Sequence, residues 1–190
     1  MLSNRPWAVL FPSVLLSGFL LCGAASATLV VALPLDRLID QAEEVMVARV
    51  EAMQSRWTAD HSAIVTEVTV QVVDSMKGGN QRGERVIVRR EGGEVGGVGM
   101  LVSGAAHFVA GEEVVLFLER RQGTSATLWT VGMAQGKMHV ATSAGRKMAV
   151  RDTSGLSALP GSAGAPSAEP RARPLEELVR YVRARARRAP

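Results

Sequence analysis

Two carboxylates, Glu91 and Glu94, stand three residues apart in the glycine-rich run Glu91-Gly-Gly-Glu-Val-Gly-Gly-Val-Gly99. Paired acids are what general acid–base hydrolysis needs, because one must hold a proton while the other is ionised. Glu94, inside the run, is the first of the two to test. Glu112 and Glu113 are adjacent, and neighbours in a strand point to opposite faces, so they suit a turn and solvent better than a shared site. The three histidines, His61, His107 and His139, are far apart, and Cys22 is the only cysteine. A transition-metal centre needs several such ligands converging, so no metal is expected.

No cofactor is expected either. A phosphate-binding loop needs Gly-x-x-x-x-Gly-Lys-Ser/Thr opening a helix, whereas Met100-Leu-Val follows Gly99. The dinucleotide fingerprint Gly-x-Gly-x-x-Gly is missing, as are the Gly-x-Ser-x-Gly and Ser-x-x-Lys patterns of serine hydrolases, and Ser103 has neither context. The other chemically distinctive group is the C-terminal set Arg180, Arg183, Arg185, Arg187 and Arg188. Three roles suit it: solvated charges behind a docked apolar face, contact with a membrane surface or anionic polymer, and nucleic-acid binding. The last lacks its other half, an aromatic stacking surface, so no nucleic acid is expected as partner.

These residues must be carried by elements that the pattern makes legible. Leu35, Leu38, Ile39 and Ala42 recur at helical spacing after Pro34, which predicts a short helix within 33–44. Val45–Met53 reads as a first strand. Ile64–Val73 is the clearest strand, with Ile64, Thr66, Val68, Val70 and Val72 on one face and Glu67, Thr69 and Gln71 on the other. Val86–Arg90 is the next strand, and the glycine run after it reads as a structural loop, since eight glycines between Gly78 and Gly99 cannot pack a core. Glu113–Glu119 is apolar on both alternations, the mark of a central strand covered on both sides. Leu128–Val131, Lys137–Ala141 and Lys147–Arg151 follow at short spacing with glycines between them. The fold class expected is mainly β, a small antiparallel OB-like barrel with a short N-terminal helix and a C-terminal helix.

The organisation expected along the chain of 190 residues is a signal peptide over 1–27, a β-barrel domain over 28–152, a flexible Ser/Ala/Gly/Pro-rich linker over 153–173 and a basic amphipathic helix over 174–188. The signal reading rests on Arg5, the apolar run Trp7–Cys22 and the small residues Ala25-Ser26-Ala27. An uncleaved anchor, or a lipid on Cys22, is the alternative. Cleavage after Ala27 would leave no cysteine, so the fold would rest on its hydrophobic core. The net charge of +4 is carried by the tail: Thr28 to Ala168 has 14 Lys and Arg against 15 Asp and Glu, whereas Glu169 to Pro190 has seven Arg against three Glu. In the last helix the acids Glu176 and Glu177 come first and the arginines last, as the helix dipole favours.

The order of the Val-rich strand, Lys77-Gly78, the Gly-Gly loop, Phe108-x-x-Gly111-Glu-Glu-Val-Val-Leu-Phe-Leu118 and Gly136-Lys137 resembles an uncharacterised exported bacterial family. That family in turn looks like the OB-type barrel of tissue inhibitors of metalloproteinases and netrin-like modules. The resemblance spans about residues 33 to 150, and its motifs are structural. The inhibitors act through an N-terminal cysteine at the protease zinc, which a chain starting at Thr28 would lack. The resemblance thus implies a fold, and the signal reading implies an exported, periplasmic or extracellular location. The function expected is noncatalytic binding of a protein or cell-envelope component, with possible membrane-surface contact through the C-terminal helix. The alternatives are a hydrolase using Glu94 or Glu91 and a membrane-tethered envelope protein.

Overall fold

A computed structural model describes residues 28–30, 32–121, 127–151, 156–158 and 170–188. The segment 1–27 with Cys22, and most of the expected linker, lie outside the described residues. The chain begins with β1 (Thr28–Val30) and α1 (Leu35–Gln41), whose Leu35, Leu38 and Ile39 are buried as their spacing predicts. The long strands β2 (Glu44–Trp57) and β3 (Ile64–Lys77) form an antiparallel hairpin, and β4 (Arg85–Glu91) pairs with the far side of β3. On β3 the expected alternation holds, with Ile64, Thr66, Val68, Val70 and Val72 turned inward.

The glycine run is not a loop throughout. It folds into a small hairpin of β5 (Gly93–Val95) and β6 (Val98–Met100). Gly96 and Gly97 form its turn with φ of 61° and 81°. Positive φ at both central residues is the two-residue turn that matches strand twist, and glycine adopts it without a Cβ clash.

The strands β7 (Glu113–Arg120) and β8 (Leu128–Thr130) complete a ring. β7 pairs with β2, while β8 is antiparallel to β7 and parallel to β4. The pairing order β7–β2–β3–β4–β8 therefore returns to β7, an OB-like order. The seam between β4 and β8 is two residue pairs long, so the barrel stays partly open there. The β2–β3 register shifts at Val45/Met46, Val47/Ala48 and Val50/Ala52, and such irregularities bend a strand and increase its local twist. After a 3-10 turn at Met133–Gly136, β9 (Lys137–Ser143) and β10 (Arg146–Arg151) extend the sheet from β7.

Two short strands fall in the stretch expected to be linker. β11 (Leu156–Ala158) runs parallel to β1, and β12 (Ala172–Pro174) pairs with β10. Such pairing uses backbone N–H and C=O groups, which the small-residue composition of 153–173 does not reveal. The chain then enters α2 (Leu175–Ala186).

Two apolar cores share the strands β2 and β7. Inside the barrel, Met46, Ala48 and Val50 of β2 meet Val114, Leu116 and Leu118 of β7, with Phe108 filling one end. On the outer face, Val45, Val47, Val115 and Phe117 meet Leu38 and Ile39 of α1 and Leu178 and Val182 of α2. The double-sided burial expected of Glu113–Glu119 is thus observed, and its causes are the barrel on one side and the helices on the other.

Candidate functional site

Glu91 ends β4 and forms an ion pair with Arg121, whose guanidinium lies 4.2 Å from the centre of the Trp129 ring. Glu94 lies exposed on β5. The hairpin therefore separates the two acids: one is held in a surface pair and the other faces solvent. Glu112 binds buried Lys137 at 2.8 Å, while Glu113, the first residue of β7, binds Lys147 at 2.8 Å, so the adjacent carboxylates have separate partners and are mostly buried by them instead of facing solvent as expected.

The histidines are also dispersed. His61 stacks on Trp57 in the β2–β3 turn, with ring centroids 6.3 Å apart, and the backbone carbonyl of His107 accepts a hydrogen bond from Lys137 Nζ. His139 stands in β9, between Val114 of β7 and Val150 of β10. Among the described residues no three His, Cys, Asp or Glu side chains converge in a group able to hold a metal ion.

The C-terminal arginines divide into two sets. Arg183 pairs with Asp74 at 2.6 Å and also donates to the Ser75 carbonyl. Arg185 forms a two-pronged contact with Asp40, both bonds 2.7 Å, and reaches Asp36 at 3.2 Å. The Arg185 hydrogen bond holds the Asp40 carboxyl below the usual aspartate range. Tyr181 donates its hydroxyl to Asp36, and that bond to a carboxylate raises the phenol's pKa. These contacts, with Leu175, Leu178 and Val182 buried beneath them, seat α2 on the sheet and on α1. Arg180, Arg187 and Arg188 have no ion partner among the described residues and stay exposed.

Seating α2 creates a groove of about 600 Å³ between the helix and the outer face of the sheet. Val47 of β2, Val73 of β3, and Leu175 and Val179 of α2 supply its apolar lining. Its rim carries Asp74, paired with Arg183, and Glu113, paired with Lys147. Arg82, from the β3–β4 connection, and Arg180 of α2 also line it, and neither has an ion partner among the described residues. The helix contributes Glu176, Val179, Arg180 and Arg183, an i, i+3, i+4, i+7 set that shares one face.

Of the residues singled out from the sequence, this groove brings together Arg180, Arg183 and Glu113. It leaves out Glu91 and Glu94. Arg82, Val47, Val73 and Lys147 carry no sequence signal for it, because they come from β2, β3, the β3–β4 connection and β10 and meet only when the folded sheet is covered by α2. Among the described residues no helix is long and apolar enough to cross a membrane. Comparison of the chain with protein-family models, curated proteins and solved structures returned no match.

Proposed function

We propose that this chain is an exported, noncatalytic binding protein that uses the groove between α2 and the sheet to hold a protein or cell-envelope component. The observation that carries the reading is the groove itself. It combines an aliphatic lining with Arg82 and Arg180, long cationic side chains that no carboxylate among the described residues engages. Concave sites that mix apolar contact area with a few directed polar groups are where proteins hold ligands. Arg183 and Arg185, by contrast, are engaged by Asp74 and Asp40.

Export is supported by the apolar run Trp7–Cys22 followed by Ala25-Ser26-Ala27. The likeness to netrin-like modules adds a fold to this reading and no functional residue.

The test is affinity capture from a solubilised envelope fraction, with the intact mature protein and the double variant Arg82→Ala/Arg180→Ala immobilised in parallel. The expected result is a component retained by the first and lost from the second. Identical captures by both proteins, or none by either, would remove the groove as the binding site.

A further inference from the structure

The groove does not end at Lys147. A second cavity of about 240 Å³, lined by Gly145, Arg146, Lys147, Pro174, Leu175 and Glu176, shares Lys147, Leu175 and Glu176 with it. The two adjoin at these three residues and are taken together as one trough beside α2. On the reading that this trough is the binding site, we infer that its occupant is an extended, acidic peptide segment carrying aliphatic side chains.

Charge complementarity points to the acidic partner. Arg183 with Asp74 and Lys147 with Glu113 are closed pairs. Once they are set aside, the trough keeps three arginines without an ion partner among the described residues, Arg82, Arg146 and Arg180, against one such carboxylate, Glu176. Unneutralised arginines along an open rim attract carboxylates, and the planar guanidinium can engage both carboxylate oxygens at once.

Shape points to an extended chain. Successive side chains of a strand-like peptide alternate in direction. Aliphatic residues can therefore face Val73 and Val179, the half-buried members of the lining, while acidic ones rise to the arginines at the rim. An acyl chain would need a deep apolar enclosure, whereas two half-buried valines, Val73 and Val179, beside an open, charged rim offer a shallow one.

A dye-labelled hexapeptide alternating aspartate and valine serves as probe, with lysine–valine and serine–valine counterparts and phosphatidylglycerol vesicles as the other arms. Anisotropy titrations with the full mature chain are expected to show saturable binding of the aspartate peptide alone. Binding should weaken about tenfold in Arg82→Ala/Arg180→Ala and loosen as salt screens the rim. Glu176→Gln, which removes the unpartnered carboxylate, should tighten it about threefold, a gain that a misfolded variant could not produce.

Equal binding of the serine peptide, an unchanged affinity in the double variant, or binding of vesicles in place of the aspartate peptide would overturn the inference. If envelope capture depends on Arg82 and Arg180 while the aspartate peptide does not bind, the acidic-peptide assignment falls and the groove function stands. If both fail, both fall.

Discussion

Gly136 and Gly99 are the same residue under opposite constraints. A Cβ on Gly136 would sit 2.5 Å from the Val131 carbonyl oxygen and 2.9 Å from that of Phe117, so the 3-10 turn can press against β7 only without a side chain. A Cβ on Gly99 would meet nothing within 4 Å. Gly136→Ala should therefore cost about 1–3 kcal/mol, the range for forcing atoms into a packed site, because its neighbours are backbone and cannot swing aside. Gly99→Ala should stay within about 0.5 kcal/mol, as unconstrained surface changes do. Urea unfolding of the two variants side by side checks this, and equal midpoints would contradict it. The glycine density of the run is thus a poor guide to which glycine the fold needs.

At the scale of the element, α2 is held by two kinds of contact with different strengths. Leu178 and Val182 are fully buried, whereas Asp40 and Arg185 pair at the surface. Truncating a buried leucine to alanine typically costs about 2–5 kcal/mol, and an exposed ion pair contributes about 0–1 kcal/mol. Leu178→Ala should accordingly release the α2 amides to hydrogen exchange while Asp40→Asn changes them little. The reverse ranking would show that charge, not burial, seats the helix.

The ion pair still gives α2 a pH dependence. The folded pKa of Asp40 is lowered, chiefly by its hydrogen bond from Arg185, so its contribution is fully present above the ordinary aspartate pKa of about 3.9. The contribution is lost as pH falls through the depressed folded value. Protection of the α2 amides, taken relative to their intrinsic exchange rates, should therefore fall on acidification below about pH 4 in the native chain, and the Asp40-specific part of that fall should vanish in Asp40→Asn.

For the whole molecule, the two cores make distinct claims. The barrel interior is built from strands β2, β3, β4, β7 and β8 and the 101–112 connection, whereas the outer core needs α1 and α2. Deleting residues 172–190 should strip β12 and α2 from the sheet, lower the urea midpoint by more than Leu178→Ala does, and expose an apolar face that binds a hydrophobic dye. Trp129, packed at the barrel seam, should keep its buried emission at low urea. A fully red-shifted spectrum would show that the barrel cannot hold without its helix.

The sequence by itself determined the local elements. Helical spacing placed α1 and α2, and period-2 alternation placed β3. The doubly apolar β7 announced a strand covered on both faces, because each of these patterns follows from where successive side chains point along one element. Of the candidate site it singled out Arg180 and Arg183 among the C-terminal arginines, but not the row from Glu176 to Arg183 to which they belong. Only the tertiary structure decided the rest. It set Arg82, from the β3–β4 connection, and Val47 and Val73, from neighbouring strands, opposite that row. It bound Arg183 and Arg185 to Asp74 and Asp40 and left Arg180 without an ion partner among the described residues. Which charges are neutralised depends on neighbours more than 100 residues away in sequence, and no periodicity records distances across a fold.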